Sequence, residues 1–212
     1  MAGTQSQERT DNYHHGDLRN ALIIAAAELI EESGSDDFAM VDAARRAGVS
    51  SAAPYRHFRD REDLLWSVAE LGFYEMARRT RALDEHYELG TIECIVESGK
   101  CYIEFVTSKP AFFDLMWGEL GIRADAETEK RHSEVAVNGF YALVEKVQAW
   151  CDSEGVSADA IDLSMKLWAL AMGLSHLAIN NHIERFVSGL DPYEMLTSST
   201  HSFLRGVKEA GS

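Results

Sequence analysis

Side chains that could contact a phosphate group are concentrated in one short segment of the chain. Tyr55, His57 and Arg61 carry a hydroxyl, an imidazole and a guanidinium, groups that donate hydrogen bonds to phosphate oxygens. The three residues at 51–53 are small, so the backbone there could come close to another molecule. This combination predicts noncovalent recognition of a polyanion such as duplex DNA.

No catalytic or metal-ligating motif accompanies this segment. The sequence has no phosphate-binding loop, nucleophile elbow, paired-histidine zinc motif or dinucleotide-binding glycine pattern. Cys94, Cys101 and Cys151 lack the spacing of metal ligands, and so do the scattered histidines. We therefore expect no enzyme activity, no metal site and no cofactor.

Charge and composition limit the possible partners. The net charge of −15 disfavours nonspecific binding to DNA. All basic residues up to position 81 are arginines, however, and the planar guanidinium suits phosphate and guanine contacts. The sequence contains neither a leader-like apolar segment nor a stretch of roughly 20 apolar residues, so we expect a cytoplasmic protein with no membrane contact.

Helices are expected to position the candidate segment, because apolar residues recur at helical spacing and no segment alternates as a β-strand would. We predict an all-α fold of about nine helices. The first is expected to begin at Gly16 and end near Gly34. Later helices are expected at about Arg61–Arg81, Thr91–Ser108, Pro110–Trp117, Glu127–Asp152, Ala158–Asn181 and Pro192–Lys208.

Two short helices are expected around the turn at Gly48, one over about 38–47 and the other over 51–58. Alanines in the first helix would allow close packing, and Gly48 could adopt a left-handed conformation. Ser50 is the expected N-cap of the second helix. This spacing is typical of a helix-turn-helix, whose second helix enters the major groove of DNA. An ordinary helical hairpin is the alternative.

The string AGVSSAAPYRHF at residues 47–58, followed by REDLL at 61–65, resembles the TetR family of transcriptional regulators. The similarity implies a DNA-binding domain over residues 1–66 with an N-terminal arm. This chain differs from the family pattern at residues 39–41, which offer no polar side chain for a DNA contact, and at Pro54. The residues that it assigns to DNA are Arg9, Arg45, Ser51, Ala52, Ala53, Tyr55, Arg56, His57 and Arg61.

Residues 67–212 are expected to form a larger helical domain that dimerises. The helix at about 158–181 carries two opposite apolar arcs, so both of its sides must be covered by its own domain or by a partner chain. A central helix of a monomeric bundle is the alternative; the family resemblance favours a homodimer on a palindromic operator. The residues assigned to the interface are Leu163, Leu167, Leu170, Leu174, Leu177 and Phe203.

Residues 108–117 and 167–173 resemble a TetR subgroup with a Trp-His-Gly effector domain, with Met172 in place of the histidine. A small-molecule pocket would be lined by Tyr102, Phe105, Phe113, Met116, Trp117, Trp168, Met172 and His176; ordinary core packing is the alternative. The sequence thus predicts a ligand-responsive DNA-binding regulator, a repressor released from its operator by a small apolar or amphipathic molecule. A helical small-molecule-binding protein or enzyme with an incidental helix-turn-helix is the alternative.

Overall fold

A computed structural model describes the backbone of residues 5–117 and 126–210. Side chains are described from residue 18 onward, apart from those at 118–129, 131–133, 135–136 and 211–212. Every regular element in these residues is helical, which confirms the predicted all-α class. Nine α-helices follow one another in this part of the chain: α1 (Gln5–Ser33), α2 (Met40–Arg46), α3 (Arg61–Ala82), α4 (Ile92–Ser108), α5 (Pro110–Trp117), α6 (Ala126–Glu154), α7 (Ala160–Ile179), α8 (His182–Phe186) and α9 (Pro192–Ala210).

Most helix boundaries lie within two residues of those expected, but α1 and α8 differ more. Helix α1 begins at Gln5, well before the predicted start at Gly16. Helix α8 was not predicted, since five residues are too few to show an apolar period. Single turns of 3₁₀-helix lie at Pro54–Arg56 and Leu83–Glu85.

The chain forms two compact units. The first comprises Met1–Leu71 and Ala111–Thr128, and the second comprises Gly72–Pro110 and Glu129–Ser212. The units therefore change within α3, between residues 71 and 72, whereas the sequence placed the boundary between 66 and 67. Most of α5 groups with the first unit.

The first unit is built on a helical apolar stripe in α1. Leu22, Ala26 and Ile30 are spaced four residues apart and are buried, and α1 contacts α2. The start of α3 contributes Leu64 and Leu65 to the buried residues. The amide of Asp63 donates to the carboxylate of Asp60 at 2.9 Å, so Asp60 caps α3.

The second unit packs α4 and α7 against each other and both against α9. Its core includes Trp150 of α6, Leu163 and Leu167 of α7, and Leu204 of α9. Gly99 allows α4 to approach α9 closely, because a Cβ there would lie 2.7 Å from Leu196 Cδ2. Thr91 caps α4 and Asp159 caps α7 through their side chains.

Among the residues described, no helix combines the length and the apolarity that a membrane span requires.

Candidate nucleic-acid interface

A tight turn after α2 begins the candidate interface. Gly48 has φ of +71°, in the left-handed region that the sequence predicted for it. The amide of Gly48 donates to the Arg45 carbonyl at 3.2 Å, and that of Val49 donates to the Ala44 carbonyl at 3.0 Å. These bonds end α2 and form a tight turn, as a helix-turn-helix requires.

The segment after the turn is less helical than predicted. Instead of a helix over 51–58, only Pro54–Arg56 is helical, as one 3₁₀ turn that Ala53 precedes. Ser50 is not its N-cap; the Ser50 carbonyl instead accepts a hydrogen bond from the Ala53 amide at 2.9 Å. Pro54 has no amide hydrogen to donate to Ser50, so an α-helical hydrogen-bond ladder cannot start there.

Exposure separates the residues of this segment into two groups. Ser51, Ala52 and Arg56 are exposed, and 59% of the Tyr55 surface is accessible. Ala53, which was assigned to DNA, is only 8% exposed and belongs to the core. We call the four exposed residues Ser51, Ala52, Tyr55 and Arg56 the recognition turn; they are the part of the segment that can reach another molecule.

Other predicted DNA contacts have different surroundings. Arg45 lies on the exposed side of α2, where its guanidinium pairs with the carboxylate of Asp42. His57 is half-buried next to the recognition turn. Arg9 lies on α1, and its side chain is outside the described residues.

Arg61 binds within the protein rather than standing free for a phosphate. Its Nε donates to the Phe38 carbonyl at 2.9 Å, and its Nη2 donates to the Asp36 carbonyl. The guanidinium is also 3.4 Å from the Asp36 carboxylate and 5.4 Å from the centre of the Phe38 ring. These contacts tie the start of α3 to the loop that precedes α2.

Two further arginines, which the sequence did not single out, hold the same unit together. Arg19 donates to the Ser67 hydroxyl at 2.8 Å and lies 5.1 Å from the centre of the Phe58 ring. Arg46 binds Glu32 across the α1–α2 contact, which lowers the pKa of that carboxyl. Their partners lie at least 14 residues away in sequence, so no local pattern could have revealed them.

The predicted effector residues are distributed over both units. Tyr102 and Phe105 are buried on α4, and Trp168, half-buried on α7, lies 6.0 Å from the Phe140 ring. Met172 is half-buried and His176 exposed on the same helix. The remaining three, Phe113, Met116 and Trp117, lie on α5, which groups with the first unit.

The leucines assigned to a dimer interface mostly lie inside the second unit. Leu163, Leu167 and Leu174 are buried, Leu170 and Phe203 are half-buried, and Leu177 is exposed. Within the leucine arc (Leu163, Leu167, Leu170, Leu174 and Leu177), the chain itself therefore covers Leu163, Leu167 and Leu174. The assignment of the arc to an interface between chains stays a prediction for its accessible members, Leu170 and Leu177. Another side of α7 presents exposed residues every fourth position, which we call the α7 row: Ile161, Met165, Ala169, Gly173 and Leu177.

No group of three or more histidine, cysteine, aspartate or glutamate side chains that could hold a metal ion occurs among the residues described.

Two family models match the chain. The one described as "Bacterial regulatory proteins, tetR family" matches residues 22–68, which include the Gly48 turn and the recognition turn. The one described as "Tetracyclin repressor-like, C-terminal domain" matches residues 95–202, more than half of the chain. No curated protein matches the sequence.

Solved structures resemble the chain over most of its length. A protein of unknown function from Rhodococcus sp. RHA1 is 28% identical, with a TM-score of 0.75 over 92% of this chain and 97% of that one. A tetR-family regulatory protein from Rhodococcus RHA1 is 15% identical, with a TM-score of 0.63 over 90% and 96%. RolR in complex with resorcinol is also 15% identical, with a TM-score of 0.64 over 95% and 96%.

Proposed function

Because this chain belongs to the TetR family of bacterial regulatory proteins, we propose that it represses transcription from a palindromic operator until a small molecule releases it. It is a DNA-binding transcriptional regulator rather than an enzyme. The observation that carries the proposal is the recognition turn, which is exposed directly after the left-handed Gly48. A bacterial repressor acts on DNA in the cytoplasm, and we place this protein there.

The recognition turn supports a division of roles on DNA. Ser51 and Ala52 are small and exposed, so the backbone can approach base edges in the major groove. Tyr55 and Arg56 supply a hydroxyl and a guanidinium for flanking phosphates. Arg45 and His57 are further phosphate donors on the same unit. Arg61 positions the turn by holding the loop before α2.

We further propose a homodimer, the assembly typical of the family, formed through the α7 row. Its exposed residues recur every fourth position, the spacing that allows two helices to pack ridge into groove. Helix α9, which contacts α7, exposes the small residues Ser198, Ser202 and Gly206 at the same spacing. Two copies related by a twofold axis would address half-sites roughly 34 Å apart.

The effector is proposed to bind the larger domain and to shift the dimer between two arrangements. A ligand changes such an equilibrium only through its different affinity for the two states. RolR, which has a similar fold, is described in complex with the small aromatic molecule resorcinol. We retain the aromatic residues of α4 and α7 as contacts of the effector, and the finer similarity to the Trp-His-Gly subgroup as part of this proposal.

The test begins with selection of genomic fragments that bind the purified protein. Affinity for a selected fragment should fall with Arg56→Ala and remain unchanged with Arg185→Ala, an exposed arginine on α8. Transcription from the adjacent promoter should decrease when the protein is added. Increased transcription would make the protein an activator, and absence of any bound fragment at low salt would contradict the proposal.

A further inference from the structure

A groove in the second unit lies between the later turns of α3 and helix α6. Its volume is about 470 Å³, within the range of small-molecule sites. The base of the groove is apolar, because Phe73 is only 1% exposed and Ala77 is also buried, whereas the Tyr74 ring is 58% exposed. The other lining residues among those that the structure describes are polar: Arg78, Arg81 and Asn138.

The charges at this groove are not balanced. Arg78 binds both oxygens of Glu75, at 2.8 and 2.9 Å, and Arg79 donates to the same carboxylate at 2.8 Å. One negative charge is thus shared by two arginines. Arg81 also lines the groove and is exposed, and it forms no ion pair with any residue that the structure describes. The end of α3 therefore presents positive charge in a chain whose net charge is −15.

We propose that this groove is a second effector site, apart from the aromatic residues of α4 and α7, and that it binds a small aromatic carboxylate. This proposal rests on the function proposed above. The carboxylate pairs with Arg81, and with Arg78 as a second donor, because a guanidinium binds carboxylate oxygens through two parallel hydrogen bonds. The aromatic ring packs between Tyr74 and the base formed by Phe73 and Ala77. Asn138 can bond a polar substituent on the ring, since its amide both donates and accepts.

Helix α3 connects this groove to the DNA-binding unit along the chain. The helix begins at Arg61, which holds the loop before α2, and reaches Arg81 roughly 30 Å further on. Within the second unit, the Arg79 guanidinium lies 5.3 Å from the centre of the Phe105 ring on α4. A carboxylate that draws Arg78 away from Glu75 would alter the Glu75–Arg79 contact. Occupation of the groove is thereby linked to the packing of α3 on α4.

Calorimetric titration of the whole 212-residue chain with 2-naphthoate tests the site directly. The neutral 2-naphthamide has a similar shape and no charge, so it should bind at least about tenfold more weakly. Arg81→Gln should weaken 2-naphthoate binding by a similar factor, and Tyr74→Ala should also weaken it. Arg185→Gln is the matched control on α8 and should leave the Kd unchanged. Circular dichroism checks that each variant is folded.

The outcomes separate this site from the general function. Failure of 2-naphthoate to bind, equal binding to Arg81→Gln, or equally tight binding of inorganic phosphate would overturn the site. Binding without weaker operator affinity would overturn its role as an effector site. Absence of operator binding by the ligand-free protein would contradict the proposed function instead. The two failures can be told apart because the titration measures ligand binding without DNA.

Discussion

Arg56 and Arg61 are five residues apart, yet their surroundings assign them different roles. Arg56 is exposed and forms no side-chain ion pair or hydrogen bond among the residues described, whereas Arg61 binds the carbonyls of Asp36 and Phe38. We expect Arg56→Ala to reduce the salt dependence of operator affinity by about one phosphate contact. Arg61→Ala should weaken operator binding without changing that dependence, because it loosens the loop before α2.

Operator titrations over about 50–200 mM salt distinguish the two variants. Arg61→Ala should also lower the free energy of unfolding by about 1–3 kcal/mol, since it removes hydrogen bonds made by a charged group. Arg56→Ala should leave the free energy of unfolding unchanged. If both variants reduce the salt dependence equally, Arg61 contacts a phosphate after all.

Glu75 predicts a pH dependence of stability. The hydrogen bond from Arg78, together with that from Arg79, lowers the pKa of Glu75 from its ordinary 4.5 to about 2. Because the pKa is lower in the folded state, Glu75 stabilises the protein above pH 4.5, and this contribution is lost as the pH falls towards 2. Glu75→Gln should therefore reduce the urea midpoint at about pH 6 and reduce it less at about pH 3, where part of the contribution is already lost.

The exposed carboxylate of Glu85 provides the control for that measurement. Glu85 forms no ion pair among the residues described, so Glu85→Gln should leave the urea midpoint unchanged at both pH values. An equal effect of Glu75→Gln at both pH values would show that the carboxylate acts through packing rather than charge.

At the scale of elements, two glycines should respond in opposite directions to alanine. Gly90, before α4, has φ of +85°, and a Cβ there would lie 3.0 Å from the Ala149 carbonyl oxygen. Gly90→Ala should therefore destabilise the protein by about 1–3 kcal/mol. Gly139 lies within α6 with no atom within 4 Å of its Cβ position, so Gly139→Ala should stabilise by up to about 1 kcal/mol. Urea unfolding measures both; similar shifts would contradict the difference in backbone strain.

The helices themselves were largely predictable, because apolar periodicity and capping residues are local signals. Helix α3 ends one residue beyond its prediction, and α5 has the predicted bounds. The helix over 51–58 was overpredicted, because Pro54 has no amide hydrogen to donate to the Ser50 carbonyl. Sequence order also could not show that Arg61 turns back to residues 36–38, since that contact depends on tertiary packing.

The dimer interface on α7 also could not be predicted from local sequence signals. Both arcs are apolar, so hydrophobicity alone could not decide which one the chain buries. The buried Leu167 and Leu174 and the exposed Ile161 and Met165 distinguish the arcs only once α4 and α9 are in place. The recognition turn was easier to locate, because small, aromatic and basic residues follow a glycine turn within a few positions.

At the scale of the whole molecule, operator affinity should depend on the α7 row. An operator with two half-sites is bound tightly only when both recognition turns are held by one dimer. Met165 is 46% exposed in one chain, so a charge there leaves the folded chain intact but is buried without a partner in the dimer. Met165→Glu should therefore yield folded monomers by sedimentation equilibrium, and affinity for the two-site operator should fall by at least about 10²-fold.

Two matched variants complete the test. Ile24→Glu places the same charge at an exposed apolar position of α1, and it should leave the dimer intact. Leu174→Glu buries a charge in the core of the second unit, so it should unfold the protein rather than separate folded chains. A folded dimer with Met165→Glu, or folded monomers with Leu174→Glu, would contradict an interface through the α7 row and assign it to the leucine arc.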